Sequence, residues 1–259
     1  MTTREVGRID THSHLLPGID DGCKSVEESV ACARALVENG YTHAFCTPHI
    51  WGKYVGVSRA SVPKMCAQLQ AELETAGVPL KLLPGGELNL FLGVTKTPAE
   101  DVVPLALGKY QLVDMWAADI PPFFEDAIRW LQQDLGLTVI LAHPERMRAV
   151  QDNPSLIDYF ASLGMLLQGN LQCFADPPDA HTRRCAEHFL LERRYFMLGS
   201  DTHNPETIGV RMKGLAHVID LIGTTETMLL TRERPLSIIP NQGKEEEHRT
   251  SNVEPRTSK

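Results

Sequence analysis

The sequence predicts one α/β domain built from parallel βα units, on three observations. Seven short apolar runs, bounded by Gly, Pro or polar residues, alternate with six longer segments of helical period. No linker and no internal repeat interrupts them within 259 residues, a length that suits one large α/β barrel or two small domains. Side chains able to ligate metal gather at the C-terminal ends of the strand-like runs, where parallel α/β barrels build their sites.

The strands are expected at residues 9–13, 42–47, 80–87, 111–115, 138–142, 166–170 and 195–200, short and apolar as buried parallel strands are. The first helix follows Ser25-Val-Glu-Glu28, a capping box in which the serine caps the helix start and Glu28 reaches back. Its apolar face carries Val30, Ala33 and Val37, and Asn39-Gly40 stops it. Further helices are expected over 58–76, where Pro63 breaks or starts the helix, and over 123–135, 154–163, 180–193 and 206–222. From Pro240 the chain turns polar and charged and lacks the apolar residues of a core. The reading is therefore a domain over 1–239 and a disordered tail over 240–259.

Composition narrows the function classes. A formal net charge of −8 argues against a nucleic-acid partner, which needs clustered Lys and Arg. The first residues hold no apolar signal-peptide core, and no run of eighteen apolar residues spans a membrane. The six cysteines form no Cys-x-x-Cys and lie mostly in apolar stretches, so they read as buried thiols of a reducing cytoplasm.

The polar residues carry the chemistry. His12 and His14 flank the end of the first strand, with Asp20 and Asp21 in the next loop. His49 follows the second strand, Glu87 ends the third, Asp114 lies in the fourth and His143 follows the fifth. Asp201 and His203 follow the seventh. In His-x-His on a strand both side chains share a face, so both reach one ion. Each residue alone has a plainer reading. A strand-end His is more often simply hydrogen-bonded, an Asp after a strand caps a helix, and Asp20-Asp21-Gly22 makes a turn. Together they are hard to explain that way: five of the ten histidines fall on this one rim, while His43, His181, His188, His217 and His248 read as structural. The nine N and O donors exceed the three or four that one zinc takes and suit two or three ions such as Mn, Fe or Zn.

His12-Ser-His14, Asp20-Asp21-Gly22, Thr47-Pro48-His49, Gly86-Glu87, His143-Pro-Glu-Arg146 and Ser200-Asp201-Thr-His203 resemble the PHP (polymerase and histidinol phosphatase) superfamily. Over residues 8–222 the chain is similar to its manganese-dependent bacterial protein-tyrosine phosphatases of capsule and exopolysaccharide systems, the CpsB/YwqE type. The resemblance implies a distorted (β/α)7 barrel, in agreement with the seven strands. It implies one ion on His12, His14, Glu87 and Asp201, a second on Glu87, Asp114 and His143, and a third on Asp21, His49 and His203. Asp114 departs from the family, which often has Glu there, and is one methylene shorter. The implied reaction is in-line hydrolysis of a phosphotyrosine ester. Arg146 would hold a phosphate oxygen, Arg211 is a second phosphate candidate or else a helix-surface residue, and Asp201 or His203 would assist the leaving group. The implied partner is the tyrosine-rich tail of a bacterial tyrosine kinase, and the implied state a homo-oligomer through the helix bearing Glu27 and Glu28, although capping alone explains Glu28.

The loops at 51–54 and 116–119 would line the pocket with apolar rings, unless those rings belong to the core. Phosphocysteine chemistry in its usual form needs Arg six residues after a Cys. Here Ser29, Glu38, Gly52, Glu72, Asp179 and Leu191 hold those positions, which excludes it. Three other readings compete: a small-metabolite phosphatase such as one for histidinol phosphate, an amidohydrolase, and a non-enzymatic part of a polysaccharide-export assembly. The amidohydrolase would place a carbamylated Lys where Asp114 stands, and the non-enzymatic part would be expected to have lost ligands.

Overall fold

A computed structural model describes residues 6–52, 54, 56–115 and 117–240; the tail expected to be disordered, apart from Pro240, and Lys53 and Trp116 of the two pocket loops, lie outside the described residues. In chain order the elements are β1 (Arg8–Asp10), α1 (Val26–Glu38), β2 (Tyr41–Cys46), β3 (His49–Ile50), α2 (Val62–Thr75), β4 (Lys81–Pro84), β5 (Glu87–Asn89), β6 (Tyr110–Asp114) and α3 (Phe124–Arg129). There follow β7 (Thr138–Ala142), α4 (Arg148–Asp152), α5 (Leu156–Ser162), β8 (Leu166–Asn170), α6 (Ala180–Leu191), β9 (Met197–Gly199), α7 (Pro205–Met228) and α8 (Arg234–Ser237).

Every pair of neighbouring strands is parallel. They form two sheets, β1-β2-β4 and β3-β5-β6-β7-β8-β9. The expected third strand over 80–87 is thus two strands, and the second expected strand has a continuation in β3. The break has a physical cause. Pro48 and Pro84 have no N–H for a ladder. Gly86 lies close under neighbouring side chains: a Cβ there would meet Ile50 Cδ1 at 2.5 Å and Val103 Cβ at 3.2 Å, and those side chains would have to shift. Register survives the break: Cys46 pairs with Pro84 and His49 with Glu87, and the Glu87 N–H donates to Pro48 O at 3.0 Å.

The segment after β1 runs between the ends of two other strands. Ser13 bridges Thr202 in parallel, His14 N–H donates to Thr202 O and Thr47 N–H to Ser13 O, both at 2.8 Å. Ile9, Phe45, Leu83, Leu112, Ile140 and Met197, from six different strands, share one small buried cluster. The larger core lies between the sheets and the helices.

In α1 the Ser25 hydroxyl accepts from Glu28 N–H as expected, but the Glu28 carboxylate reaches Lys24 N–H at 2.8 Å, one residue earlier than an ideal capping box. Its buried stripe is Ser29, Cys32, Ala33 and Leu36; Ser29 is accommodated because its hydroxyl donates to Leu15 O. Pro63 starts α2. The helix expected over 206–222 ends where Gly223 takes a non-helical conformation, and a second helical stretch of α7 runs on to Met228. Beyond that glycine the buried hydroxyls of Thr227 and Thr231 donate to the carbonyls four residues back, which lets polar residues continue a buried helix. All six cysteines are free and buried. No helix among the described residues is long and apolar enough to cross a membrane.

Candidate metal centre

Strand ends converge on one buried polar cluster. Glu87, the first residue of β5, is at its middle. Its Oε2 lies 3.3 Å from His12 Nε2, 3.5 Å from His14 Nε2 and 3.0 Å from His49 Nδ1, and its Oε1 lies 3.1 Å from His143 Nε2. Asp201 Oδ1 lies 3.4 Å from both His12 Nε2 and His14 Nε2 and 3.5 Å from His203 Nδ1. Asp21 Oδ1 reaches His49 Nε2 at 3.2 Å and His203 Nε2 at 3.6 Å. His143 and Asp201, just past β7 and β9, both take left-handed backbone (φ 37° and 52°), strain of the kind that functional sites hold.

Three groups bring their donor atoms within 4.8 Å of one another: His14, Asp21, His49 and His203; His12, His14 and Glu87; and His49, Glu87 and Asp114. Seven of the nine sequence-selected donors fall in these groups, and His143 and Asp201 join them, His143 at Glu87 and Asp201 at His12 and His14. The grouping differs from the implied one in that His49 joins Glu87 and Asp114, while His143 touches the other oxygen of Glu87.

The electrostatics fit divalent cations. Glu87 Oε2 is buried and makes no hydrogen bond of proper geometry, despite three imidazole nitrogens close by. Such an atom calls for a partner, and a cation supplies one. Burial pushes Glu87 and Asp201 up. The His12 charge and the bonds from surrounding histidines outweigh it and hold both well below the usual carboxylate range. Burial pushes His14 and His49 down, yet hydrogen bonds donated to Asp20 and Asp201 raise His14 to about 10, and those donated to Asp21 and Glu87 raise His49 to about 11. Without an ion the cluster must hold protons to balance its carboxylates. The donor set is imidazole and carboxylate without thiolate, a choice suited to Mn, Fe or Zn.

Residues 8–239 match the profile of the CpsB/CapC family, capsular polysaccharide synthesis. The chain belongs to that family. Tyrosine-protein phosphatase YwqE of Bacillus subtilis is 29% identical over 239 residues, covering 90% of this chain and 92% of the relative. Tyrosine-protein phosphatase CpsB of Streptococcus agalactiae is 26% identical over 248 residues, covering 90% and 98%. A solved structure from the unique metal-dependent tyrosine phosphatases YwqE of B. subtilis and CpsB of Streptococcus pneumoniae superposes with a TM-score of 0.81 at 26% identity, covering 90% of this chain and 95% of the other. The phosphotriesterase homology protein of Escherichia coli shares the fold at a TM-score of 0.58 and 11% identity, covering 90% and 99%.

In this CpsB/CapC chain a second set of residues orients the donors, and sequence reasoning passed most of it over. Asp20, read as a turn residue, accepts from His14 Nδ1 at 2.8 Å and from His49 N–H at 3.1 Å. Gln168 Oε1 meets His12 Nδ1 at 3.0 Å, and Asn170 Nδ2 donates to Asp201 Oδ2 at 2.8 Å. Both lie on β8, whose end carries none of the nine candidate donors. Their i, i+2 spacing at a buried strand end was the available signal. Asp10 accepts from Ser200 N–H at 2.8 Å, and burial pushes its carboxyl up to about 6. Glu145, inside the quoted His-Pro-Glu-Arg motif, accepts from Asn170 N–H and from the Tyr195 hydroxyl.

Arg146 donates through Nη1 to Asp201 Oδ2 at 3.0 Å, with its side chain 34% exposed. Arg211 is not a helix-surface residue: it is 5% exposed, and its Nε and Nη1 donate to the carbonyls of Asp201 and Thr207. A cavity of about 480 Å³ opens beside His143 and Arg146, and Ala117 and Ala118 of the second pocket loop line it. In the first pocket loop the Tyr54 ring stacks on His49 at 5.6 Å between centroids.

Proposed function

We propose that this protein is a metal-dependent phosphomonoesterase that removes phosphate from protein phosphotyrosine. The observation that carries the reading is Glu87, a buried carboxylate set among four imidazoles at the mouth of a parallel α/β fold. The named activity of the YwqE and CpsB relatives supplies the substrate class.

His12, His14, Glu87 and Asp201 would hold one ion, Glu87, Asp114 and His143 a second, and Asp21, His49 and His203 a third, with Mn the metal proposed. Bound there, divalent ions acidify water and neutralise phosphoryl oxygens. The chain's own residues do the rest. Arg146 binds a phosphate oxygen with guanidinium donors other than the Nη1 committed to Asp201. Arg211 supports the site through the Asp201 carbonyl, and a phosphate role for it would need that contact to loosen. Asp201, held anionic, is a poor proton donor. His203, with a side chain 21% exposed, is the better placed of the two to serve the leaving phenolate.

Two interrupted staves, β2 with β3 and β4 with β5, reduce nine strands to seven. The contacts of 11–14 with 198–202 support reading them as a closed, distorted (β/α)7 barrel over 1–239 with a separate tail. The proposed partner is the tyrosine-rich tail of a bacterial tyrosine kinase in polysaccharide synthesis. The proposed setting is the cytoplasm, with self-association through α1.

The test compares hydrolysis of a phosphotyrosine peptide and of histidinol phosphate with added Mn, and again after chelation. Preference for the peptide, lost on chelation and in His12→Ala, is the expected result. Preference for histidinol phosphate would move the function to a metabolite. Turnover of neither with metal bound would end the phosphatase reading.

A further inference from the structure

We infer that Asn170 is a positioning residue for phosphate binding: it fixes which oxygen of Asp201 faces the imidazoles and which holds Arg146, and so sets where the guanidinium stands. The inference rests on the phosphatase reading above, in which Arg146 binds a phosphate oxygen.

Asp201 divides its contacts between its two oxygens. Oδ1 lies 3.4 Å from His12 Nε2 and His14 Nε2 and 3.5 Å from His203 Nδ1. Oδ2 accepts from Arg146 Nη1 at 3.0 Å and from Asn170 Nδ2 at 2.8 Å. The backbone of Asp201 is pinned, since its N–H donates to His12 O at 2.7 Å and its carbonyl accepts from Arg211 Nε at 2.9 Å. Rotation of the carboxylate is the freedom that remains, and the donors on Oδ2 decide it. Arg146 is partly exposed and has a substrate to serve, whereas Asn170 is fully buried.

The orientation of Asn170 is itself fixed. Its Oδ1 accepts from Gln172 N–H at 2.9 Å, which assigns the two ends of the amide and turns Nδ2 to Asp201. Its own N–H donates to Glu145 Oε1 at 2.7 Å, and Glu145 Oε2 accepts from the Tyr195 hydroxyl at 2.9 Å. Glu145 precedes Arg146 in the chain. Glu145, Asn170, Asp201 and Arg146 therefore close a ring across the ends of β7, β8 and β9.

The ring accounts for an amide at 170. A neutral donor there shares Oδ2 with Arg146 and leaves the other guanidinium donors for an anion. Without it Oδ2 falls to Arg146 alone, and a guanidinium held more tightly by Asp201 is less available to phosphate. A carboxylate at 170 would repel Oδ2 and draw the guanidinium to itself.

The test titrates Mn into the wild-type protein, Asn170→Ala and Asn170→Asp by calorimetry, and then inorganic phosphate into each Mn-loaded protein, beside kcat and KM for a phosphotyrosine peptide. Loss of such a supporting contact typically costs about 10- to 100-fold. Both variants should bind phosphate more weakly by roughly that factor, with KM raised more than kcat is lowered. In Asn170→Asp, which keeps the shape of the side chain and the bond from Gln172, Mn affinity should hold or rise, because an added carboxylate favours a cation. If Asn170→Ala melts early, Asn170→Asp carries the test. A fall of Mn affinity in step with phosphate affinity in Asn170→Asp would make Asn170 a structural support only and overturn the inference. So would full phosphate affinity in either folded variant, and both results leave the phosphatase reading intact. Failure of the wild-type enzyme to cleave phosphotyrosine overturns both.

Discussion

Asp20 Oδ2 accepts a hydrogen bond from His14 Nδ1 at 2.8 Å, and this fixes the imidazole so that Nε2 faces Glu87 and Asp201. A ligating histidine commonly has its other nitrogen held by a carboxylate, and loss of that partner typically costs 10- to 100-fold in metal affinity. Asp20→Asn should therefore weaken metal binding by roughly that factor with the fold kept. Calorimetric metal titration reads it, and unchanged affinity would show Asp20 to be only a turn residue.

Metal itself should stabilise the protein strongly. The buried carboxylates are balanced by raised imidazoles when no ion is bound, and an ion that binds only the folded chain adds stability by mass action. At a hundredfold excess over Kd that gain is about 2.7 kcal/mol per site, worth roughly 5–10 °C in a chain of this size. Chelation should lower the melting temperature and Mn, Fe(II) or Zn should restore it. A melting temperature indifferent to all three and to the chelator would leave the cluster without an ion.

Arg146 and Arg211 both attach to Asp201, and they should fail differently. Arg146 reaches the side chain from a partly exposed position, so Arg146→Ala should lower kcat/KM by on the order of 100-fold and weaken inorganic phosphate, with metal affinity little changed. Arg146→Lys should recover little, because a lone ammonium lacks the guanidinium fork. Equal loss of metal in Arg146→Ala would make it a support for the cluster instead.

Arg211 is buried and holds the Asp201 backbone, so Arg211→Ala strands two carbonyls and leaves a void. The expected cost is roughly 2–4 kcal/mol of stability together with weaker metal binding. Denaturant melts and metal titration test this. A stable variant with normal metal affinity and a raised KM would return Arg211 to the substrate.

The contrast between these arginines marks what the sequence could carry. The clustering of candidate donors was legible because ligation would need particular atoms at strand ends, and a period of two shows which of them share a face; seven fall in the close groups, and His143 and Asp201 join them through Glu87, His12 and His14. Burial of Arg211 was not legible, since one Arg on a helix looks the same whether its face meets solvent or the turn after a strand. Asp20 was hidden because Asp-Asp-Gly is a sufficient turn by itself. Strand breaks at Pro48 and at Pro84-Gly85-Gly86 were marked by prolines, which cannot donate to a ladder, and by glycines, which weaken a strand. The parallel register on either side still needed three-dimensional pairing to be seen.

Gly199 ends β9 where a Cβ would lie 2.6 Å from His12 Cβ and 2.7 Å from Gln168 Nε2. Those two side chains are bonded to each other, so a methyl group there cannot be accommodated by moving one alone. Gly199→Ala should cost about 1–3 kcal/mol by overpacking and should also displace His12 from Glu87. The two effects separate by measurement: a melt reports the strain, and metal affinity reports the displaced ligand. A loss of stability with metal affinity intact would mean that β9 and β8 shift together, carrying Gln168 away while His12 keeps its place.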